Sequence, residues 1–302
     1  VDWPSAFGAH CQCDQRTEPE RECYLSAFVF GDDFRQHIES TETTRGFSGW
    51  TWAPWLWLDI DRDDLTEATH DTRRMACWLV ERFVLSGDEL LIFYSGRKGY
   101  HIGVPTGLWD AQPAVDFHLV CRAMAEALAA ECRLAIDSGV YDRVRAFRAP
   151  NSRHPKTGLH KRVLMLEELL SLRVERIAEL AATPEPFDVP ARVASNAQAT
   201  RDWQVAMDSV ARRQAMAVQR RQLGTVPSAL NRATLEFIRE GAQAGDRHRM
   251  LFAAAANLAS FGCSPELAWA LLSESALDSG LPPGEVRRQI ECGLRHVQEG
   301  KL

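Results

Sequence analysis

WLWLDIDRDD, residues 55–64, joins an apolar run to a pair of carboxylates. The run is short, rich in aromatic residues and bounded by polar sequence, and it reads as a buried strand. Side chains alternate across a strand, so Asp59 and Asp61 project to the same side, a few ångströms apart. Like charges that close repel each other, and a divalent cation settles them. The competing reading is a solvated acidic turn after a strand, and the rest of the chain has to decide.

At 302 residues the chain has room for one large or two ordinary domains, and with 45% hydrophobic and 25% charged residues it reads as globular rather than disordered. No apolar run approaches the roughly eighteen residues of a membrane span, and the first residues show no charged-then-apolar leader. The expectation is a cytoplasmic protein with no membrane segment. A formal charge of -6 means that contact with nucleic acid must come from a local basic patch.

Most of the eight cysteines fall inside apolar helical patterns and read as small core residues. The exception is HCQCDQRTEPEREC (10–23). There His10, Cys11, Cys13 and Cys23 offer four zinc ligands, although the gap of a common zinc knuckle is missing and a reduced surface loop is the competing reading.

Along the chain, ECYLSAFVFGDDF (22–34) holds a short strand and residues 50–61 a stronger one. The tryptophans 50, 52, 55 and 57 read as core packing, with Trp50 and Trp52 also open to base stacking. Residues 67–86 carry Met75, Leu79 and Phe83 at helical spacing with Gly87 as a stop. ELLIFYSGRKGYHIGVP (89–105) reads as strand, glycine-bounded turn, strand. Residues 113–132 are again helical, with His118 and Cys121 on an ordinary helix face. Residues 135–163 gather seven Arg or Lys against two Asp, which is the basic patch that the net charge hides.

Residues 166–180 read as one helix and 181–193 as a proline-punctuated linker. Strands first and helices last imply an α+β catalytic domain over 1–190, a linker with a basic helix over 191–226, and a small all-α domain over 227–302. Leu251, Leu258, Leu267, Leu271 and Ile290 are the expected core of the last.

Two further stretches carry chemistry. In SGRKGYH (95–101), Gly96 and Gly99 permit a tight turn with exposed N–H groups. Ser95, Arg97, Lys98 and His101 add the donors and positive charge that a triphosphate needs. IDSGVYDRVRAFRAPNSRHPKTG (136–158) leads with Asp137, followed by Arg145, Arg148, Ser152, His154 and Lys156. Asp137 would join Asp59 and Asp61 in a three-carboxylate cage for two Mg²⁺ or Mn²⁺ ions, with the basic residues binding and orienting a nucleotide. Taken singly, each stretch also reads as a solvated turn with surface ion pairs.

The order LDID, SGRKGYH, ID..V.D..R..R.P.S.H.KTG resembles the archaeo-eukaryotic primase superfamily over about residues 22–165. The resemblance implies a palm built on a sheet like that of an RNA-recognition motif, with an accessory α/β unit. It also implies metal binding by Asp59, Asp61 and Asp137, and a triphosphate turn of Ser95, Arg97 and His101 shaped by Gly96 and Gly99. Arg148 and His154 match residues near the incoming nucleotide, and Asp142 one that holds the segment's shape. Residues 245–294 look like the helical primase C-terminal domain of phage and plasmid replication proteins. No zinc module separates the second and third motifs, unlike in cellular relatives, and the pattern is that of a mobile-element primase-polymerase.

The implied activity is template-dependent nucleotidyl transfer, synthesising primers on single-stranded DNA from NTP or dNTP, with a replicative helicase as a fused or recruited partner. The alternatives are a gap-filling or end-repair polymerase of the same superfamily, and a nucleic-acid-binding module of a plasmid or defence system.

Overall fold

The computed structural model describes residues 2–191, 193–222, 230–243 and 245–299. The fold is mixed α+β, divided into compact units that run to Gln214 and from Ala215 onward. In chain order the first unit holds α1 (Trp3–Cys11), β1 (Tyr24–Ser26), β2 (Val29–Phe30), α2 (Asp32–Thr41), β3 (Thr51–Trp52), β4 (Trp55–Asp61), α3 (Leu65–Phe83), β5 (Leu91–Tyr94), β6 (Gly99–Pro105), α4 (Phe117–Glu131), β7 (Ala146–Arg148), β8 (Arg162–Leu164), α5 (Leu166–Ser171), α6 (Val174–Leu180) and the start of α7 (Ala197–Gln222).

The central sheet has four strands in the order β4-β6-β5-β8, every neighbouring pair antiparallel. The short pairs β1-β7 and β2-β3 lie outside it. Leu56, Leu58 and Ile60 of β4 are buried on one face of the sheet. On the other face Trp57 meets the rings of Phe93 and Phe147. Helix α3 opens on the Asp64 side chain, which accepts from the Thr66 N–H. It buries a stripe that includes Ala68, Thr72, Met75, Ala76 and Leu79, and its Thr69 hydroxyl bonds the Tyr100 hydroxyl of β6. It stops before Gly87, because Val84 turns left-handed at φ 55° and closes the helix on the Val80 carbonyl.

Three expectations change. The single helix over 166–180 is two, α5 and α6, because Arg73 of α3 donates to the carbonyls of Leu169 (2.7 Å) and Leu172 (2.6 Å), where the chain turns extended. Residues 22–34 make two short strands and begin α2, whose first turn carries Asp32 and Asp33 at the positive end of the helix dipole. Most consequentially, the expected domain boundary near 190 moves to Gln214. Ala199, Trp203, Ala206 and Val210 of α7 are buried in the first unit's core, Trp203 stacked on Trp109 with centroids 5.6 Å apart. Arg82 ties the same helix down through Asp202 at 2.9 Å. Within the expected linker of 191–226, residues 197–214 therefore belong to the first unit, while 192 and 223–226 fall outside the described residues.

The second unit contains α8 (Arg232–Glu240), α9 (Arg247–Ser260), α10 (Pro265–Asp278) and α11 (Pro283–Glu299). Leu251, Leu258 and Ile290 are buried as expected and Leu271 partly so. Leu267 is 52% exposed, because α10 turns Ala268, Leu272 and Ala276 inward instead. Among the described residues no helix is long and apolar enough to cross a membrane.

Candidate active site

The register of β4 against β6 sets Asp59 opposite His101 and Asp61 opposite Gly99. Glycine is required there, since a Cβ on residue 99 would lie 2.1 Å from Asp61 Oδ1 and 2.4 Å from the Ile60 carbonyl oxygen. The turn between β5 and β6 is closed by the Ser95 N–H donating to the Gly99 carbonyl at 2.9 Å. Gly96 takes φ +85°, and a Cβ there would stand 3.0 Å from the Leu159 carbonyl oxygen. Close approach lets Thr157 donate its hydroxyl proton to the Gly96 carbonyl at 2.6 Å, docking the second motif on the third.

Asp137 comes to β4 through its main chain, its N–H donating to the Asp59 carbonyl at 2.9 Å. Its carboxylate is occupied locally, accepting from the Gly139 N–H at 2.8 Å. Downstream, the Tyr141 hydroxyl donates to the Trp57 carbonyl, and β7 then lays Phe147 4.5 Å from the His101 ring. His154 Nδ1 accepts from the Lys156 N–H at 3.1 Å, so the neutral ring carries its proton on Nε2.

One cleft of about 270 Å³ collects the products of this folding. Asp59, Asp61, Ser95, Arg97, His101, Arg148 and His154 all line it, together with Tyr24, Lys98 and Arg145. Asp137, Gly96, Gly99 and Lys156 are not on its walls. Asp137 is joined to Asp59 through its main chain, the glycines shape the turn, and Lys156 contributes its main chain to His154.

Burial, then the neighbouring carboxylates of Asp61 and Asp137, push the Asp59 pKa up to about 8, against the pull of Lys161 and Arg145. Its Oδ1 is buried with no hydrogen-bond partner among the described residues, and lies 3.6 Å from His101 Nε2. Burial, with Lys161 and Arg148 nearby, takes the His101 pKa well below the usual histidine range, so the ring is neutral. Lys98 Nζ stands 3.4 Å from Asp61 Oδ2. An unpartnered buried carboxylate oxygen, crowded by like charge, is the donor chemistry that suits Mg²⁺ or Mn²⁺. Among the described residues no three His, Cys, Asp or Glu side chains form a finished metal cage.

The same holds for His10, Cys11, Cys13 and Cys23, which are not gathered into a zinc site. His10 and Cys11 are the last residues of α1 rather than part of a surface loop. Burial pushes the Cys11 thiol up to about 12, away from the thiolate that zinc requires. Cys23 donates its thiol proton to the Thr17 carbonyl at 3.4 Å.

Two residues, one beside the cleft and one on its wall, are not singled out by sequence reasoning. Lys161 is fully buried, donates to the Arg148 carbonyl at 2.8 Å, and faces the rings of Phe147, Phe93 and Trp57 at 4.2, 4.7 and 5.1 Å. Burial takes its pKa down to about 7 against the attraction of Asp59. Tyr24 is 51% exposed on the cleft wall, paired in register with Arg148, its hydroxyl donating to Glu22. No local signal marks either role: Tyr24 meets Arg148 only once β1 pairs with β7, and Lys161 is one of seven basic residues in its stretch until burial sets it apart.

Neither a family model nor a curated protein matches the chain. Among solved structures, the crystal structure of primase RepB' aligns over 88% of this chain and 86% of its own, at 17% identity and a TM-score of 0.31, a similarity too low to support an inference.

Proposed function

We propose that the chain is a template-dependent nucleotidyltransferase, a primase-polymerase that synthesises primers on single-stranded DNA, its central sheet serving as an RNA-recognition-motif-like palm. The observation that carries this reading is the joint occupation of one cleft by the acid pair Asp59 and Asp61 and the phosphate-type donors Ser95, Arg97, Arg148 and His154. Nucleotidyl transfer needs both sets within reach of one triphosphate. Arg97 and Arg148 neutralise the phosphate tail, and His154 donates Nε2–H to it. Neutral His101 presents its Nε2 3.6 Å from Asp59 Oδ1 on the cleft wall. Two Mg²⁺ or Mn²⁺ ions held by Asp59, Asp61 and Asp137 would supply a hydroxyl of lowered pKa and charge neutralisation at the departing pyrophosphate.

The test is synthesis on unprimed and primed single-stranded DNA, with NTP and dNTP sets and with Mg²⁺ or Mn²⁺. Products on unprimed template are expected. Extension of primed template alone would favour a gap-filling or end-repair polymerase. DNA binding without incorporation under any condition would overturn the enzymatic reading in favour of a binding module.

A further inference from the structure

Arg62, side chain and main chain together, joins the end of β4, the turn of 95–101 and the stretch that leads into Asp137. Arg62 follows Asp61 directly, and its side chain is only 15% exposed. Nη1 donates to the Asp61 carbonyl at 2.7 Å, and Nη2 to the Ala135 carbonyl at 3.0 Å, two residues before Asp137. Nε donates to Asp71 Oδ2 of α3 at 2.8 Å, and Nη2 stands 2.6 Å from the same oxygen. The residue's own N–H donates to the Lys98 carbonyl at 3.2 Å, in the turn that carries Arg97. Asp71 is itself only 15% exposed and also receives Arg74 at 2.9 Å, so the anchor is held from two sides.

We infer that Arg62 is a positioning residue that fixes the strand carrying Asp59 and Asp61 against the segment carrying Asp137. A planar guanidinium offers donors in a fixed fork, and here they join two main-chain carbonyls and a carboxylate from three separate segments. Arg62 is absent from the walls of the nucleotide cleft and meets its lining residues Asp61 and Lys98 only at their main-chain carbonyls; it lines a separate charged depression that shares Asp61 and Lys98 with the cleft. Its effect therefore passes through the acids. Lysine keeps the charge opposite Asp71 but has no fork to hold both carbonyls, and methionine keeps the bulk with neither.

The inference rests on the proposed nucleotidyl transfer for its kinetic consequence, but its structural part is measured independently. In the full chain, Arg62→Lys and Arg62→Met should raise hydrogen exchange at the Asp137 amide about tenfold, while the β4–β6 amides stay protected. Mn²⁺ binding without nucleotide, read by electron paramagnetic resonance, should weaken about tenfold, as when groups that orient metal ligands are lost. kcat should fall about a hundredfold, with KM for the nucleoside triphosphate within about twofold of the parent value. A role in general stability alone would leave Mn²⁺ affinity and kcat of the folded variants unchanged, and that result would overturn the inference. Should both variants fail to fold, Asp71→Asn, which keeps the volume and loosens the anchor, carries the same readouts in weaker form, and an unchanged Asp71→Asn is equally decisive against the inference. A parent chain that incorporates no nucleotide and binds no Mn²⁺ would overturn the enzymatic reading and this inference together, whereas an active parent with unaffected variants overturns the inference alone.

Discussion

Asp59 is where the site and the fold are in conflict. Its carboxyl pKa is raised to about 8 by burial and by Asp61 and Asp137. A carboxyl raised in this way leaves stability intact below its ordinary value near 3.8 and removes it as pH climbs toward 8, so at neutral pH the side chain opposes folding. Asp59→Asn should therefore raise the unfolding midpoint measured with chelator, by about 2–4 °C per kcal/mol recovered. The same change should abolish nucleotide incorporation. A lowered midpoint would show that the carboxylate serves packing rather than the cleft. Gly99 gives the opposite pattern. Gly99→Ala forces a Cβ onto Asp61 Oδ1 and onto the Ile60 carbonyl, and the latter is backbone that has no rotamer to escape to. Overpacking of this kind costs about 1–3 kcal/mol, and chemical denaturation together with an extension assay should show stability and incorporation falling in step.

At the scale of elements, α4 carries a pH dependence separate from the acids. His118 faces Phe28 edge-on, with Arg143, Asp142 and Asp116 as its charged surroundings. Burial first, and Arg143 second, bring its pKa down from 6.5 to about 4. The unfolded chain binds that proton earlier, so stability falls as pH drops from about 6.5 toward 4. His118→Phe should flatten this part of the stability profile in urea titrations at pH 5 and pH 7.5, and an unchanged slope would remove His118 from the account. Elements of this kind differ in how far sequence reveals them. The hairpin of β5 and β6 is legible because its turn needs glycine at two defined places and its strands carry their own apolar pattern. The split between α5 and α6 is not, because the interruption comes from Arg73, nearly a hundred positions earlier. Likewise Asp59 and Asp61 are legible by their spacing, Ser95, Arg97 and His101 by their glycine-bounded turn, and Arg148 and His154 through the family resemblance, and all of them line one cleft. Tyr24, Arg62 and Lys161 act only once distant strands have paired, and no local pattern encodes that.

For the whole molecule, the decisive helix is α7. Its buried residues Ala199, Trp203, Ala206 and Val210 recur at alternating steps of four and three, which is a core stripe, yet the prolines before it and the arginines after it suggest a tether. A cut at 190 would remove Trp203 from its stack on Trp109 and Asp202 from Arg82. Losing one buried tryptophan alone costs about 3–5 kcal/mol, a large part of the 5–15 kcal/mol that holds a typical domain. A fragment of residues 1–190 should therefore unfold without cooperativity, while one of residues 1–214 should give a single sharp transition by circular dichroism. The longer fragment then separates two roles. On the proposed function, extension needs the acid pair and the turn of 95–101, which this fragment keeps, and a paired 3′ end, which the primer supplies. On the same reading, initiation must also hold two free nucleotides on a template with no duplex to anchor them, an entropic barrier that an added helical surface would lower. Residues 1–214 should extend a supplied primer at a rate near that of the full chain and fail to start one on unprimed single-stranded DNA. Efficient initiation by this fragment would assign the start of synthesis to the first unit and leave α8 to α11 with no part in it.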